Sequence, residues 1–291
     1  MKANKIAVTG ASGHVGSALV RRLHDEGLNV VAAVRNPLGA ALVHASVPDC
    51  DIRIGALARR DGKHILDDCE IIINCALAGS GGNPRAAYSR NRELVDGVLE
   101  ARSLRWFVHF STVAIFGELL REFRDERDAF DHPKPESEYG RSKLNVERYA
   151  GRRARERGVK TNLLRLGHVY GPGLYRSREI IELSRDPHFR LPFGGRYRAN
   201  AIHLDTVAES ILRLLNTEPQ GELYSFAEAQ HTWRDIFDWH TTSLVLPPVQ
   251  GLPDEDSVRM RDVYTRASVT RDVKGWVRGL PIKRLVRSPA I

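Results

Sequence analysis

The fold is decided by the stretch Lys5-Ile-Ala-Val-Thr9-Gly10-Ala-Ser-Gly13-His-Val-Gly16. Its first five residues predict a short buried strand, and the apolar period that follows predicts a helix over about residues 17–24. Gly10 permits the tight turn between them, Gly13 lets the backbone approach a pyrophosphate, and Gly16 lets the helix pack closely on the strand. Because amides at a helix N-terminus bind phosphates, the stretch predicts a dinucleotide site, with an ordinary glycine turn as the alternative. The residues expected to contact that ligand are Gly10, Ser12, Gly13, His14, Val15 and Gly16.

The second predicted strand, residues 28–34, is followed by an arginine at the position that distinguishes the two nicotinamide dinucleotides. An NAD-specific site presents Asp or Glu to the ribose 2′-hydroxyl there, and a carboxylate would repel a 2′-phosphate. Arg35 can instead form two hydrogen bonds with that phosphate, and none of residues 34–36 is acidic. The sequence therefore predicts NADP(H) as the cofactor, and a solvated arginine at a strand end is the alternative.

Strands and helices alternate through the first half of the chain. The predicted strands are residues 5–9, 28–34, 51–54, 70–76, 106–112 and 161–166, and the main predicted helices between the later strands are 91–101 and 139–158. This βαβ alternation predicts an α/β fold with a doubly wound parallel sheet of the Rossmann type. Ligands bind such sheets at the carboxyl ends of the strands, so Ala76, Leu77 and Ala78 after the fourth strand join the predicted cofactor site.

The pattern changes at about residue 167. We expect residues 1–166 to form a dinucleotide-binding Rossmann domain whose sheet is completed by later elements near residues 200–226. Residues 167–291 are expected to form mainly a smaller substrate-binding lobe, and residues 117–137 a surface loop over the site. The basic end of the chain suggests no particular chemistry.

The composition is that of an ordinary globular protein, with a net charge of +8 and a pI of about 9.6. The basic residues are mostly arginines scattered along helices without an RNA-binding motif, so no nucleic-acid partner is expected. Three cysteines without a CxxC pair indicate a reducing compartment and no metal centre. The sequence shows no signal peptide and no apolar run of membrane length, so a cytoplasmic protein without a membrane partner is expected.

A second motif with chemical content is Tyr139-Gly-Arg-Ser-Lys143. A spacing of four places Tyr139 and Lys143 on one face of a helix. An isolated phenol has a pKa of about 10, and a neighbouring ammonium group lowers that pKa towards neutral pH. The pair therefore predicts a group that moves a proton on and off an alcohol or ketone oxygen, and a surface ion-pair helix is the alternative.

Taken together, these motifs resemble the extended short-chain dehydrogenases/reductases of the NAD-dependent epimerase/dehydratase type, over roughly residues 4–230. The resemblance is carried, in this order, by the glycine motif of residues 9–16, Ser111-Thr112, Tyr139-x-x-x-Lys143, Tyr170-Gly-Pro-Gly173 and Ile202-His-Leu-Asp205. The stretch Ala33-Val-Arg-Asn-Pro37 is also similar to the NADPH-dependent dihydroflavonol and cinnamoyl-CoA reductases. In those enzymes the equivalent arginine binds the 2′-phosphate, which implies the same role for Arg35.

The resemblance also implies roles for other residues. Tyr139 would be the general acid/base on the substrate oxygen, Lys143 would tune it and bind the nicotinamide ribose, and Thr112 would hydrogen-bond the substrate carbonyl. The implied substrate contacts are Thr112, Ala114, Tyr139, His168 and Arg198, and the implied cofactor contacts include Tyr139, Lys143 and His168. Val113 and Ala114 stand where the dehydratases of the family carry Asp-Glu, which argues against elimination of water. No metal site is expected.

These features predict NADP(H)-dependent reduction of a carbonyl to an alcohol, with a nucleotide-linked 4-keto sugar as the expected small-molecule substrate. A nucleotide-sugar 4-epimerase that retains its cofactor is the first alternative, because it needs the same three catalytic residues. A non-catalytic, NADP-sensing regulator is the second alternative. Helices 91–101 and 139–157 are where related proteins dimerise, so a homodimer is expected by analogy. The sequence leaves the identity and stereochemistry of the substrate open.

Overall fold

A computed structural model describes residues 4–58, 60–79, 83–117, 133, 135, 137–217, 221–228 and 230–257. Most of the surface loop predicted over residues 117–137 lies outside these residues, as does the basic end of the chain. The chain divides into two compact units, one formed by residues 1–167 and 202–226 and the other by residues 168–201 and 227–291.

The described part of the first unit is built on seven parallel strands. In chain order, the described strands are β1 (Ile6–Thr9), β2 (Val30–Val34), β3 (Asp51–Ile54), β4 (Ile71–Asn74), β5 (Trp106–Thr112), β6 (Lys160–Leu166), β7 (His168–Tyr170), β8 (Ala201–His203) and β9 (Leu223–Phe226). The seven-stranded sheet has the order β3-β2-β1-β4-β5-β6-β9, and every neighbouring pair is parallel. The predicted doubly wound parallel sheet is confirmed.

Helices flank this sheet. The described α-helices of this unit are α1 (His14–Asp25), α2 (Pro37–Ser46), α3 (Pro84–Leu99), α4 (Glu138–Glu156) and α6 (Leu204–Leu215), and those of the second unit are α5 (Tyr175–Ser184) and α7 (Trp233–Ser243). Helices α3 and α4 pack on β4 and β5 in the main apolar cluster, where Phe107 is fully buried beside Ile72 and Ala150. Burying a side chain as large as Phe107 contributes roughly 1.5–3 kcal/mol, so this cluster fixes α4 firmly on the sheet.

Two helices begin where the sequence predicts no helix. The helix predicted from Asn91 begins seven residues earlier, at Pro84, because the Oδ1 atom of Asn83 accepts a hydrogen bond from the backbone N–H of Ala86 at 3.1 Å. No helix is predicted at α2, although α2 begins with the same Asn-Pro pair at residues 36 and 37. Asparagine is a favoured N-cap residue and proline a favoured first helical residue, so both Asn-Pro pairs start a helix rather than mark a loop.

The second unit has an apolar core of its own. Trp233 and Phe237 of α7 are buried in it together with Tyr170 of β7. The rings of Phe189 and Phe237 stack with their centroids 5.4 Å apart. Helix α5 contributes Ile180 to this core as well.

The described residues also bear on membranes, metals and thiols. None of the helices in the described ranges combines the length and the apolar character that a membrane span requires. Within the same ranges, His, Cys, Asp and Glu side chains form no group of three or more that could hold a metal ion. The thiols of Cys50 and Cys69 are buried, that of Cys75 is partly buried, and all three are free.

Candidate active site

The glycine loop between β1 and α1 is packed against the end of β4. Gly10 has a φ of +66°, and a Cβ atom there would lie 2.8 Å from the Cα and N atoms of Ala76. A Cβ atom at Gly16 would lie 2.2 Å from the carbonyl oxygen of Gly10. A side chain at either position would therefore displace backbone. The loop lies where the strand order reverses, between β1 and β4, and sheets of this type bind ligands at that point.

Helix α1 begins at this loop with an N-terminus that no side chain caps. Gly13 is the N-cap residue, and its neighbours Ser12 and His14 are exposed. The first N–H groups of a helix have no partner within the helix and carry a partial positive charge, so they favour a phosphate. This geometry fits the diphosphate of a dinucleotide, and the contacts of the individual loop residues, including Val15, stay predictions.

The segment after β4, which contains Ala76, Leu77 and Ala78, is held by a buried asparagine of α3. Asn91 Oδ1 accepts a hydrogen bond from Ala78 N at 2.9 Å, and Asn91 Nδ2 donates to the carbonyl oxygens of Ala78 and Ala87 at 3.0 and 2.8 Å. Leu77 between the two alanines is exposed. The segment thus has a fixed backbone beside the glycine loop, although no periodic signal in the sequence points to Asn91.

Arg35 lies at the carboxyl end of β2, just before α2. Its side chain is exposed and forms no hydrogen bond or ion pair with any residue that the structure describes. A Cβ atom at Gly39 would lie 3.0 Å from Ser12 Oγ, so the start of α2 approaches the glycine loop. Ser12 therefore lies beside the helix that follows Arg35, at the end of the sheet where the sequence predicts a 2′-phosphate.

Two hydroxyl groups of the predicted catalytic set meet at the carboxyl end of β5. Thr112 is the last residue of β5, and its Oγ1 atom accepts a hydrogen bond from Ala114 N at 3.2 Å. Tyr139, in the first turn of α4, forms a side-chain hydrogen bond with Thr112. Because Thr112 already accepts from Ala114, its hydroxyl hydrogen can donate to the phenol oxygen of Tyr139.

The glycine that follows Tyr139 explains how the two hydroxyls come together. A Cβ atom at Gly140 would lie 2.5 Å from the carbonyl oxygen of Ala114. The first turn of α4 can therefore press on the turn of residues 113–116 only because position 140 has no side chain. The sequence analysis assigns no role to Gly140, which only separates Tyr139 from Lys143 in the motif. The feature that could have revealed its role is its place in a helix, because glycine there costs about 1 kcal/mol relative to alanine and so needs a packing reason.

The electrostatics of Tyr139 differ from the sequence-based expectation. Burial of the phenol raises the pKa of Tyr139, and the hydrogen bond with Thr112 opposes this rise, although 51% of the residue's surface is exposed. The expectation of a Tyr139 pKa lowered towards neutral pH is wrong for this structure, because burial outweighs the lowering effect of the hydrogen bond with Thr112. The phenol is therefore protonated at neutral pH.

Lys143 is buried one turn after Tyr139, with 7% of its surface exposed. Its Nζ atom donates a hydrogen bond to the carbonyl oxygen of Phe110 at 2.7 Å. Burial lowers the pKa of Lys143 to about 8, while Glu147 and the thiol of Cys75 act in the opposite direction. The alternative interpretation of the motif, a surface ion-pair helix, does not fit, because Lys143 is buried and faces the ends of β4 and β5.

A row of polar side chains crosses the sheet next to Lys143. Thr9 Oγ1 donates a hydrogen bond to Asn74 Oδ1 at 2.5 Å, and Asn74 Nδ2 donates to His109 Nδ1 at 3.0 Å. The three residues are opposite one another in β1, β4 and β5. Burial and the charge of Lys143 lower the pKa of His109 to about 3, so its ring is neutral. The row links the three strands whose ends carry the glycine loop and Thr112.

The two remaining predicted contacts, His168 and Arg198, belong to the second unit. The Nη2 atom of Arg176 donates to His168 Nδ1 at 3.3 Å, and burial followed by the charge of Arg176 lowers the pKa of His168 to about 4. Arg176 also pairs with Glu179. Arg198 is exposed and forms no ion pair with a described residue. The structure leaves the roles of His168 and Arg198 as predictions.

Two buried charged residues behind the catalytic set escape the sequence interpretation. Glu147 of α4 and Arg165 of β6 form an ion pair at 2.7 Å, and each side chain is 4% exposed. Two features of the sequence could have identified them. Glu147 continues the four-residue spacing of Tyr139 and Lys143, and Arg165 interrupts an apolar strand. A charged residue on the packed face of a helix needs a partner in the fold.

Known proteins resemble the chain in sequence. Residues 6–227 match the sequence model of the NAD dependent epimerase/dehydratase family. The probable low-salt glycan biosynthesis reductase Agl14 of Haloferax volcanii is 31% identical over 176 residues, which cover 56% of this chain and 53% of the relative. The 4-hydroxy-2-methyl-3-oxo-4-farnesyl-3,4-dihydroquinoline-1-oxide ketoreductase of Stigmatella aurantiaca is 28% identical over 224 residues, which cover 75% of this chain and 66% of the relative. The matches thus span about half to two-thirds of the length of these curated relatives.

Solved structures resemble the chain in fold. The UDP-glucose 4-epimerase of Thermotoga maritima, solved with UDP-glucose, has a TM-score of 0.66 and 21% sequence identity to this chain. The superposition covers 86% of each chain. A likeness at this identity supports the architecture, and the roles of individual residues depend on the geometry described above.

Proposed function

Because the chain belongs to the NAD-dependent epimerase/dehydratase family, we propose that it is an NADP(H)-dependent oxidoreductase that reduces a carbonyl group to an alcohol. The observation that carries the proposal is the meeting of the Thr112 and Tyr139 hydroxyls one turn from the buried ammonium group of Lys143. These residues and the glycine loop belong to the same unit and to the same carboxyl edge of the sheet. In this proposal the first unit binds the dinucleotide and the second unit binds the substrate.

The chain's own side chains suit a reduction. A bound nicotinamide dinucleotide would supply the hydride. Tyr139 would give a proton to the carbonyl oxygen, because its raised pKa keeps the phenol protonated at neutral pH. Thr112 would stabilise the phenolate left after proton transfer through the hydrogen bond that already lowers the phenol's pKa. The positive charge of Lys143, one helical turn away, would favour the same phenolate.

The preference for NADP(H) rests on the end of β2. A 2′-phosphate there would meet the exposed guanidinium of Arg35, which has no partner among the described residues, and no carboxylate follows the strand. Ser12 adds a hydroxyl on the neighbouring loop. A guanidinium binds a phosphate through two parallel charge-assisted hydrogen bonds, which are stronger than neutral ones. These features support NADP(H) over NAD(H).

A nucleotide-linked 4-keto sugar is the substrate class that we propose. One relative is named as a glycan biosynthesis reductase and another as a ketoreductase, which supports a carbonyl substrate. Arg198 offers an exposed guanidinium on the second unit, suited to a diphosphate. Neither Val113 nor Ala114, next to Thr112, can act as an acid or base, so elimination of water is disfavoured.

A nucleotide-sugar 4-epimerase is the second candidate. It is favoured by the family itself, which is named for its epimerases and dehydratases. The two candidates use the same three residues but differ in their use of the cofactor. A reductase consumes NADPH in proportion to its product, whereas a 4-epimerase retains its cofactor and consumes none.

The decisive experiment incubates the purified protein with NADPH or NADH and a panel of nucleotide-linked 4-keto sugars while the reduced cofactor is followed by absorbance. We expect net consumption of NADPH with at least one sugar. Tyr139→Phe should lower kcat by a factor of about 100 to 10,000 while NADPH binding persists, because only the proton donor is lost. Tyr88→Phe on α3, which also removes only a hydroxyl, is the matched control and should keep the wild-type rate.

Each other outcome selects an alternative. Copurified cofactor, interconversion of nucleotide-linked 4-hydroxy sugars added in place of the keto sugars, and no net NADPH consumption would establish the epimerase. NADPH binding without turnover, together with a cellular phenotype that Tyr139→Phe leaves unchanged, would favour the regulator and reject the enzyme.

A further inference from the structure

A buried ion pair lies directly behind the predicted catalytic residues in the first unit. Glu147 of α4 accepts two hydrogen bonds from Arg165 of β6, at 2.7 Å from Nη2 and 3.1 Å from Nε. The guanidinium carbon also lies 5.1 Å from the centre of the Phe116 ring. The carboxylate is thus held in one orientation by two parallel bonds, and its partner is itself packed in place.

Stability alone is a weak reason for such a pair. Taking two charges out of water costs several kcal/mol per ion, and apolar residues of similar size are often at least as stable, so roughly no net gain is expected. The position of the pair is more informative. Glu147 lies four residues after Lys143 and eight after Tyr139, so the three side chains share one face of α4. Arg165 lies opposite Ser111 in the sheet, and Ser111 directly precedes Thr112 in β5.

We propose that Glu147 is a positioning residue for Lys143, whose ammonium group it keeps charged and directed at the carboxyl ends of β4 and β5. Arg165 fixes the carboxylate for this task. The role rests on the proposed oxidoreductase function and adds a residue to it. Glu147 touches neither substrate nor cofactor in this scheme and acts only through Lys143.

Among the described residues, the other titratable groups that face Lys143 are neutral. The thiol of Cys75 faces it from the end of β4, and burial raises the pKa of that thiol. The ring of His109 faces it from β5 with a pKa of about 3, and the Tyr139 phenol on the same helix is protonated. Burial lowers the pKa of Lys143 to about 8. Among the described residues, Glu147 is therefore the carboxylate that raises this pKa against the effect of burial.

The test measures the apparent pKa of Lys143 in the intact protein by NMR of its side chain. The chain has only eight lysines, so Lys143→Arg suffices to assign the signal. Glu147→Gln should lower the pKa of Lys143 by about one to three units, the size expected for loss of a close opposite charge. The alkaline limb of NADPH-dependent reduction should move to lower pH by the same amount. Glu156→Gln, an exposed carboxylate at the end of the same helix, should change neither.

A second variant guards against unfolding, because Glu147→Gln leaves Arg165 buried without its carboxylate. Glu147→Gln/Arg165→Met removes both charges and should lower the pKa of Lys143 in the same way. A wild-type pKa of Lys143 in either folded variant overturns the proposal. Failure of both variants to fold overturns it as well, because the pair is then structural.

The same samples separate this inference from the proposed function. The titration of Lys143 needs neither cofactor nor substrate. If the wild-type protein reduces no carbonyl compound, the oxidoreductase function fails, and the titration still decides whether Glu147 holds the charge of Lys143.

Discussion

Gly140→Ala is the perturbation that most directly tests how the site is assembled. The added Cβ atom would lie 2.5 Å from the carbonyl oxygen of Ala114, whereas a tight contact needs at least 3.0 Å and an ordinary van der Waals contact at least 3.4 Å. The first turn of α4 and the turn of residues 113–116 must therefore separate by about 0.5 to 0.9 Å. Tyr139 and Thr112 lie on opposite sides of this gap, so their hydrogen bond is the first contact to lengthen.

The effects of this change on stability and on catalysis should differ in size. Alanine is favoured over glycine within a helix by about 1 kcal/mol. Overpacking typically costs about 1–3 kcal/mol, so the net change in the free energy of unfolding should be no more than about 2 kcal/mol. A catalytic group displaced by about 1 Å can cost a factor of about 100 in rate. We therefore expect a folded protein whose kcat for carbonyl reduction falls by about that factor.

The assay pairs steady-state kinetics with a spectroscopic titration. Separation of the two hydroxyls removes the hydrogen bond that lowers the pKa of Tyr139, so the phenolate absorbance should appear at higher pH in Gly140→Ala than in the wild type. Gly151→Ala, in the same helix, is the matched control. A Cβ atom there would lie 3.3 Å from a methyl group of the flexible Leu163 side chain, and backbone need not move.

Wild-type kcat and an unchanged Tyr139 titration in Gly140→Ala would refute the reasoning, since position 140 would then tolerate a side chain without disturbing the hydroxyl pair. Equal losses in Gly140→Ala and Gly151→Ala would point to a general effect on the helix instead.

Three further changes follow from other contacts of the site. Arg35→Asp should lower the ratio of kcat/KM for NADPH to kcat/KM for NADH by a factor of at least about 10. The reason is that a hydrogen bond to a charged group contributes about 1.5–3 kcal/mol. An unchanged ratio would reject the cofactor assignment. Asn91→Leu removes the bonds that hold Ala78, so the free energy of unfolding should fall by about 1–3 kcal/mol in chemical denaturation and NADPH should bind more weakly. Thr112→Val should raise the pKa of Tyr139, measured as the phenolate absorbance that disappears on adding Tyr139→Phe, and a lower pKa would contradict the assigned hydrogen bond.

The buried strands are the part of the fold that the sequence predicts best. β5 has the predicted bounds, and β4 and β6 differ from them only at their ends. A run of apolar residues between polar ones is a local signal, and a strand buried on both faces keeps it. Helix starts are harder, because the Asn-Pro pairs before α2 and α3 are equally good turn and capping signals. Tertiary packing of the helix that follows decides between the two.

The candidate site shows the same difference between local sequence signals and tertiary contacts. Thr112, Tyr139 and Lys143 can be named from motifs and spacing, because the spacing fixes which side chains share a helix face. The pKa of Tyr139 cannot be obtained this way, since it depends on burial and on a hydrogen bond from a residue 27 positions earlier in the chain. Gly140 is missed for a related reason. Its importance comes from a carbonyl oxygen in another turn, and no local pattern reports that contact.

The state of the phenol bears on the direction of the proposed reaction. Carbonyl reduction needs a proton donor, and burial favours the protonated phenol of Tyr139 by raising its pKa. The hydrogen bond from Thr112 works the other way and lowers the pKa of the phenol. Burial outweighs this hydrogen bond, so the pKa of Tyr139 stays above its usual value. A 4-epimerase must use the same tyrosine as base and then as acid in each cycle, which is favoured by a pKa near the working pH. The proton donor of a reductase is likewise most efficient with a pKa near the working pH, so net NADPH consumption, and not the pKa of Tyr139, distinguishes the two candidates.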